Sequence, residues 1–270
     1  MKKFACIICG HQEERTAPPE KCIVCGQGAD KFLDNSALFE LGMACNKEGN
    51  LKGAVVWWKK SANAGNRTAA VNLVLLHWND RFGMPDKQEF LHWFKKLAYD
   101  FKDGWGQAQL GIIYCGEIHG QWAESLGGRE AFVSELNPDE GLRLLNEGVP
   151  LAEEKGNPKL DWQDYDHIHA SYLRYNVKAY DGAEGFSKVH ERQNLEKALL
   201  YLRKGHEAHL GTTFAPEHHK LVQKSRELDL KKIDILEQEL EGRIDRLTAH
   251  QKWVAASKEY FSAIGVPGYS

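Results

Sequence analysis

No run of apolar residues in this chain approaches the roughly 20 that a membrane-spanning helix needs. The opening stretch MKKFACIICGHQEE has two lysines but no apolar h-region, so a secretory leader is not expected. Neither sign of charge dominates: 35 Lys and Arg stand against 38 Asp and Glu in 270 residues, for a formal charge of −3. That balance offers no general attraction to nucleic acid or to an anionic membrane. Also missing are a G-x-S-x-G elbow, a phosphate-binding loop and a dinucleotide fingerprint. Catalytic chemistry therefore has no residue set behind it, and no enzyme is expected.

Cysteine is sparse and unevenly placed. Of six, four fall within the first 25 residues, as Cys6-x-x-Cys9 and Cys22-x-x-Cys25, each pair followed at once by a glycine, Gly10 and Gly26. Two intervening residues let both sulfurs of a pair reach one ion, and the tight turn favours a residue that tolerates positive φ. Two such turns facing each other make a tetrahedral four-thiolate site suited to Zn²⁺ or a single iron. A segment this short cannot fold on an apolar core alone, whereas bound metal converts binding energy into folding energy. Four saturated ligands leave no open position, so Lewis-acid catalysis at this ion is not expected. Paired cysteines of this kind also argue for a reducing, cytoplasmic setting rather than a disulfide scaffold.

The stretches Lys3-Phe4-Ala5-Cys6-Ile7-Ile8-Cys9-Gly10-His11, Ala17-Pro18-Pro19-Glu20-Lys21-Cys22-Ile23-Val24-Cys25-Gly26 and Asp30-Lys31-Phe32 resemble the rubredoxin-like domain of rubrerythrins. The resemblance implies a small core around Phe4 and Phe32 and one iron on the four cysteines, shuttling one electron. His11 stands where an aromatic is usual and Ile23 where proline is usual, which leaves iron and zinc both open. Rubrerythrins also carry a di-iron bundle built on two E-x-x-H helices. This chain has a single E-x-x-H, Glu89 to His92, so the family's peroxidase activity is not carried over.

Past Asn35 the texture becomes helical, with apolar residues at a 3.6-residue period. Four segments share a frame. They are Asn50-x-x-Gly53-Ala54-x-x-Trp57-x-x-Lys60, Asp86-x-x-Glu89-Phe90-x-x-Trp93-x-x-Lys96, Asn137-x-x-Glu140-Gly141-x-x-Leu144 and Asn194-x-x-Lys197-Ala198-x-x-Tyr201-x-x-Lys204. Each leading Asn or Asp is expected to cap its helix. Trp57, Trp93 and Tyr201 are expected to pack between stacked helices. Leu41-Gly42 and Leu110-Gly111 open partner helices two periods of about 35 residues apart. The frame, best matched at Gly83-Met84-Pro85-Asp86 through Ala98, resembles Sel1-like repeats, relatives of tetratricopeptide repeats. That resemblance implies stacked helix pairs with a surface for a protein or peptide.

Insertions at 116–136 and 180–192 read as decoration of inter-helix turns. Beyond Pro216, Leu221, Leu228, Ile233, Leu236, Leu240, Ile244 and Leu247 mark one or two closing helices, with a coiled-coil seam as the alternative. The pairs His167/His169, His206/His209 and His218/His219 show no acidic partner at ligand spacing and read as surface histidines. Cys45 and Cys115 read as buried free thiols in helix-packing positions.

The expected fold is mainly all-α: a Sel1/TPR-like α-solenoid with a small N-terminal metal knuckle of short β hairpins. The expected divisions are 1–33, 35–212 and 213–270. The metal ligands are Cys6, Cys9, Cys22 and Cys25, binding one mononuclear ion, iron on the resemblance or zinc. The expected role is a non-enzymatic cytoplasmic scaffold for a protein partner, with no nucleic acid or membrane involved. The alternative is one-electron transfer through a mononuclear Fe(Cys)4 centre.

Overall fold

Residues on alternate sides of one short strand organise the N-terminal region. In β1 (Lys2–Cys6), Phe4 and Cys6 face a small core with Cys22 and Phe32, while Ala5 faces the other way and packs on Leu38 and Ala64. Strands β2 (Gln12–Arg15) and β3 (Phe32–Asp34) flank β1 on its two edges, both antiparallel, with Phe4 opposite Glu13 and Cys6 opposite Phe32. The computed structural model describes residues 2–78, 85–117, 124–156, 158–177 and 188–265. They divide into two units, Met1–Leu110 with Ile118–Ser134 and Gly111–Glu117 with Glu135–Ser270.

In the first unit the chain passes from β3 into helix α1 (Asn35–Lys47) without a spacer. The Asp34 carboxylate accepts from the Ala37 N–H at 2.9 Å and caps that helix. Residues 33–35 are therefore not a loose tether. Helices α2 (Leu51–Asn63), α3 (Arg67–Trp78) and α4 (Lys87–Lys95) come next, each packed on its predecessor. Asn50 caps α2 through the Gly53 N–H at 2.9 Å, and Asp86 caps α4 through Gln88 and Glu89 at 2.9 and 3.0 Å.

The first repeat differs from expectation in one respect. Its fully packed tryptophan is Trp58, 4% exposed, not Trp57. Ala54, Val55, Trp58, Ser61 and Ala62 form the buried face of α2. Trp57 lies a helical step to the side, half-buried against the Ala5, Leu38 and Ala64 cluster. Trp93 does pack internally, and its indole N–H donates to Glu89 Oε2 at 2.9 Å.

The 116–136 insertion departs from plain decoration. Residues 118–123, Trp122 among them, lie outside the described residues. The remainder runs through a 3-10 turn, Arg129–Glu135, whose Phe132 is fully buried edge-on to Phe90 at 6.3 Å. Lys87 Nζ donates to the Ala131 carbonyl at 2.6 Å and fastens the same turn. Gly83 and Met84 of the repeat frame also lie outside the described residues.

Helix α5 (Gly104–Tyr114) precedes α6 (Pro138–Lys155). Within the second unit a Cβ on Gly111 would stand 2.8 Å from the Gly141 carbonyl oxygen, and one on Gly141 would stand 2.7 Å from Cys115 Sγ. Small residues there let two backbones nearly touch. Helices α7 (Trp162–Val177), α8 (Lys188–Leu210), α9 (His219–Leu240) and α10 (Arg246–Ala263) complete the unit, again packed in sequence order. Tyr172 and Tyr201 stack between α7 and α8 at 5.8 Å.

Asn194 is not a cap: α8 begins at Lys188 and carries Asn194 in its interior, 9% exposed. The closing helices bury Val222, Ile235 and Leu236, whereas Leu221 and Leu247 of the expected stripe are exposed. A turn through Gly242, at φ +72°, joins them. Gly182 and Gly185 of the second insertion, and residues 266–270, lie outside the described residues. Among the described residues no helix is long and apolar enough to cross a membrane.

Candidate metal centre

The two cysteine turns repeat one hydrogen-bond pattern. Cys6 N–H donates to the His11 carbonyl at 2.8 Å and Gly10 N–H to the Cys6 carbonyl at 2.9 Å. Cys22 N–H donates to the Gln27 carbonyl at 2.7 Å and Gly26 N–H to the Cys22 carbonyl at 2.9 Å. Gly10 and Gly26 close the turns at φ +79° and +75°, a region where a Cβ is strained. Local chain geometry thus aims both sulfurs of each pair the same way.

All four Sγ atoms lie within 4.8 Å of one another. Cys6 and Cys25 Sγ stand 3.6 Å apart, and Cys9 and Cys22 Sγ 3.5 Å. Metal–sulfur bonds of about 2.3 Å in a tetrahedron place neighbouring sulfurs about 3.8 Å apart, so the thiols already approach coordination spacing. The site has an inside and an outside: Cys6 and Cys22 are buried with Phe4 and Phe32, whereas Cys9 is exposed. Of the four residues inside the two turns, Ile8, Ile23 and Val24 are exposed and Ile7 is half-buried.

Backbone N–H groups prepare the sulfurs for negative charge. Burial pulls the Cys22 thiol up, but the N–H groups of Cys25 and Val24, with the Cys9 and Cys25 thiols, outweigh it and bring it down to about 6. The Gln27 N–H favours a thiolate at Cys25, yet burial and the neighbouring Cys9, Cys22 and Cys6 push it up to about 12. The His11 N–H and the Cys25 thiol favour a thiolate at Cys9, yet burial and the Cys22 and Cys6 thiols together hold it above its ordinary value. Cys22 thus gives up its proton more readily than Cys9 or Cys25. Thiolates, not thiols, are the metal ligands, so metal uptake must release protons.

The helices grip the first turn directly. Lys60 of α2 donates from Nζ to the Ile7 carbonyl at 2.6 Å, with the same ammonium 4.8 Å from the Trp57 ring centroid. Ile7 N–H donates to the Lys31 carbonyl at 2.8 Å. Ser61 Oγ donates to the Asn35 carbonyl at 2.6 Å, fixing the start of α1 on α2.

The remaining candidates separate. Glu89 is spent on Trp93 and on Lys59, whose Nζ lies 2.6 Å away, and His92 is exposed, so the E-x-x-H forms no site. Cys115 is buried; Cys45 is only half-buried. Reading the histidines as surface residues missed two features. His169 and His209 are each 2% exposed, and burial holds His169 down at about 4. His206 and His209 Nδ1 stand 3.4 and 3.5 Å from Asp229 Oδ2, beside a cavity of about 260 Å³ lined also by Trp162, Asp166 and Lys232. Asp229 arrives from α9, so no local spacing could reveal it. Among the described residues, only the four cysteines converge as a metal-ligand set does.

Residues 4–33 match the family model described as the rubredoxin-like domain of rubrerythrin. The chain is also 33% identical over 104 residues to Reverse rubrerythrin-1 of Clostridium acetobutylicum, an alignment taking in 37% of this chain and 56% of that protein. The chain thus spans about half the length of the curated relative it matches, and the likeness extends well past the cysteine turns. No solved structure matches it. Residues 4–33 are therefore a rubredoxin-like metal-binding module of the rubrerythrin type, carrying a four-cysteine site.

Proposed function

We propose that the protein is a one-electron carrier whose helices hold a protein partner. The observation that carries this reading is the four-cysteine cluster, in which Cys6 and Cys22 are buried, Cys25 is half-buried and Cys9 is exposed. Iron held by Cys6, Cys9, Cys22 and Cys25 would supply a one-electron couple with no ligand gained or lost.

The chain's own residues serve such a role in three ways. The N–H groups of His11, Val24, Cys25 and Gln27 stabilise charge on the sulfurs without moving. Phe4 and Phe32 keep water from the inner pair. Ile8, Ile23 and Val24 give a partner an apolar contact next to the exposed sulfur. The helix pairs, read as Sel1-like repeats, would provide the larger binding surface, in a cytoplasmic setting that keeps the thiols reduced. No catalytic group of this chain is required.

The test is the visible spectrum and metal content of full-length protein purified from iron-supplemented cells. A red protein with about one iron per chain, bleaching on reduction and recovering on reoxidation, supports the reading. A colourless protein that still holds a single zinc from the same cells overturns it and leaves a structural module on a binding scaffold.

A further inference from the structure

The two cysteine turns match in sequence spacing, in their closing glycines and in their backbone hydrogen bonds, but among the described residues a helix cation is hydrogen-bonded to the first alone. Lys60 Nζ lies 2.6 Å from the Ile7 carbonyl, between Cys6 and Cys9. The side chain is half-buried, and Trp57 lies under the ammonium. Among the described residues no carboxylate pairs with it, so its charge is not cancelled locally. In the second turn the Val24 N–H favours negative charge on the Cys22 sulfur. Ile8 holds the matching place in the first turn. A trans peptide directs its N–H away from its carbonyl. Drawing the Ile7 carbonyl toward Lys60 therefore orients and polarises the Ile8 N–H on the opposite side of that peptide.

We infer that Lys60 is a positioning residue that raises the reduction potential of the four-cysteine centre, so that the helical unit, and not the module alone, sets the electron's energy. The inference rests on the electron-transfer reading above. Adding one electron to iron in four thiolates adds one unit of negative charge to the centre, with no proton taken up and no bond broken. A nearby fixed cation favours the more negative state. Partial burial limits its screening by salt. A partner that shifts α2 relative to the first turn would change the potential without touching a ligand.

The experiment is a spectroelectrochemical titration of the iron-loaded full chain. The variants are Lys60→Met, Lys60→Gln and Lys60→Arg, with Lys52→Met as control, a lysine exposed eight residues earlier on the same helix. Glutamine keeps a donor for the Ile7 carbonyl without the charge; arginine keeps the charge. Iron content and the oxidised spectrum are measured alongside.

At a fixed ambient potential, Met and Gln should lower the ratio of reduced to oxidised protein by about threefold or more, at unchanged spectrum. Arg and the Lys52 control should leave it near the parent value. A purely structural role would lower iron content or distort the spectrum without following charge. Equal potentials in the parent and the Gln variant overturn the inference, as does an Arg variant shifted as far as Met. A parent chain with no reversible iron couple overturns the electron-transfer reading itself; a reversible couple indifferent to Lys60 overturns only this inference.

Discussion

An alanine at position 42 should force apart the helix pair on which the metal module rests. Gly42 lies on the buried face of α1, and a Cβ there would stand 2.3 Å from Trp58 Cδ1 and 2.5 Å from Nε1. Carbon atoms in contact ordinarily sit about 3.5–4.0 Å apart, so the overlap exceeds about 1 Å. The indole cannot swing away: it is planar, 4% exposed and enclosed by its neighbours. One helix must move instead. Overpacking of this kind costs about 1–3 kcal/mol, while replacing a mid-helix glycine regains about 1 kcal/mol. An overlap on a rigid ring belongs at the upper end, which leaves a net loss of about 1–2 kcal/mol. The assay is urea denaturation followed by far-UV circular dichroism and tryptophan fluorescence. The companion measurement is a double-mutant cycle with Trp58→Leu, which removes the clashing ring. The cycle should return a favourable coupling of about 1 kcal/mol or more. A Gly42→Ala protein as stable as the parent, or more stable by the helix-propensity gain, would refute the close approach of α1 to α2.

Two further outcomes are expected from the same structure. Burial holds His169 at about 4, below its value of about 6.5 in an unfolded chain, so on acidification the unfolded state takes the proton first. Its contribution, at most about 3 kcal/mol, is fully present above about pH 6.5 and is lost as pH falls toward 4. Urea midpoints at pH 7 and pH 4.5 should differ less in His169→Phe than in the parent; an equal difference removes His169 as the cause. Cys22→Ser should abolish tight metal binding and speed amide exchange across residues 2–34, because Phe4 and Phe32 cannot replace metal binding worth about 10–16 kcal/mol in small zinc modules. Exchange in α3 and α4 should be unaffected, and its acceleration there would show that module and helices unfold as one.

Much of the site was legible because its determinants are local. A C-x-x-C-G turn needs only five consecutive residues to aim two sulfurs and close on a positive-φ glycine. Asn50, Asp86 and Asn137 were readable as caps for the same reason, since a cap bonds within its own first turn. Asn194 fits that pattern and yet lies inside α8, because the helix starts earlier, at Lys188. Trp57 and Trp58 are adjacent in an apolar run, and periodicity does not choose between them. The choice is made by the module, which covers Trp57 from outside, and by Gly42, which lets α1 close on Trp58.

The sequence by itself determined the rubredoxin-like module, its four clustered cysteines, its small aromatic core and the helical character of the chain beyond Asn35. Each rests on spacing between near neighbours, where chain geometry alone restricts the outcome. Tertiary structure decided what is placed against those elements: Lys60 on the Ile7 carbonyl, Asp229 between His206 and His209, and Phe132 under Phe90. These contacts join residues 20 to 53 positions apart, on different segments, and no local period encodes them. The cysteines state that a metal can be held. Only packing shows that a helix charge reaches the turn that holds it, and that Cys9 is the most exposed of the four cysteines.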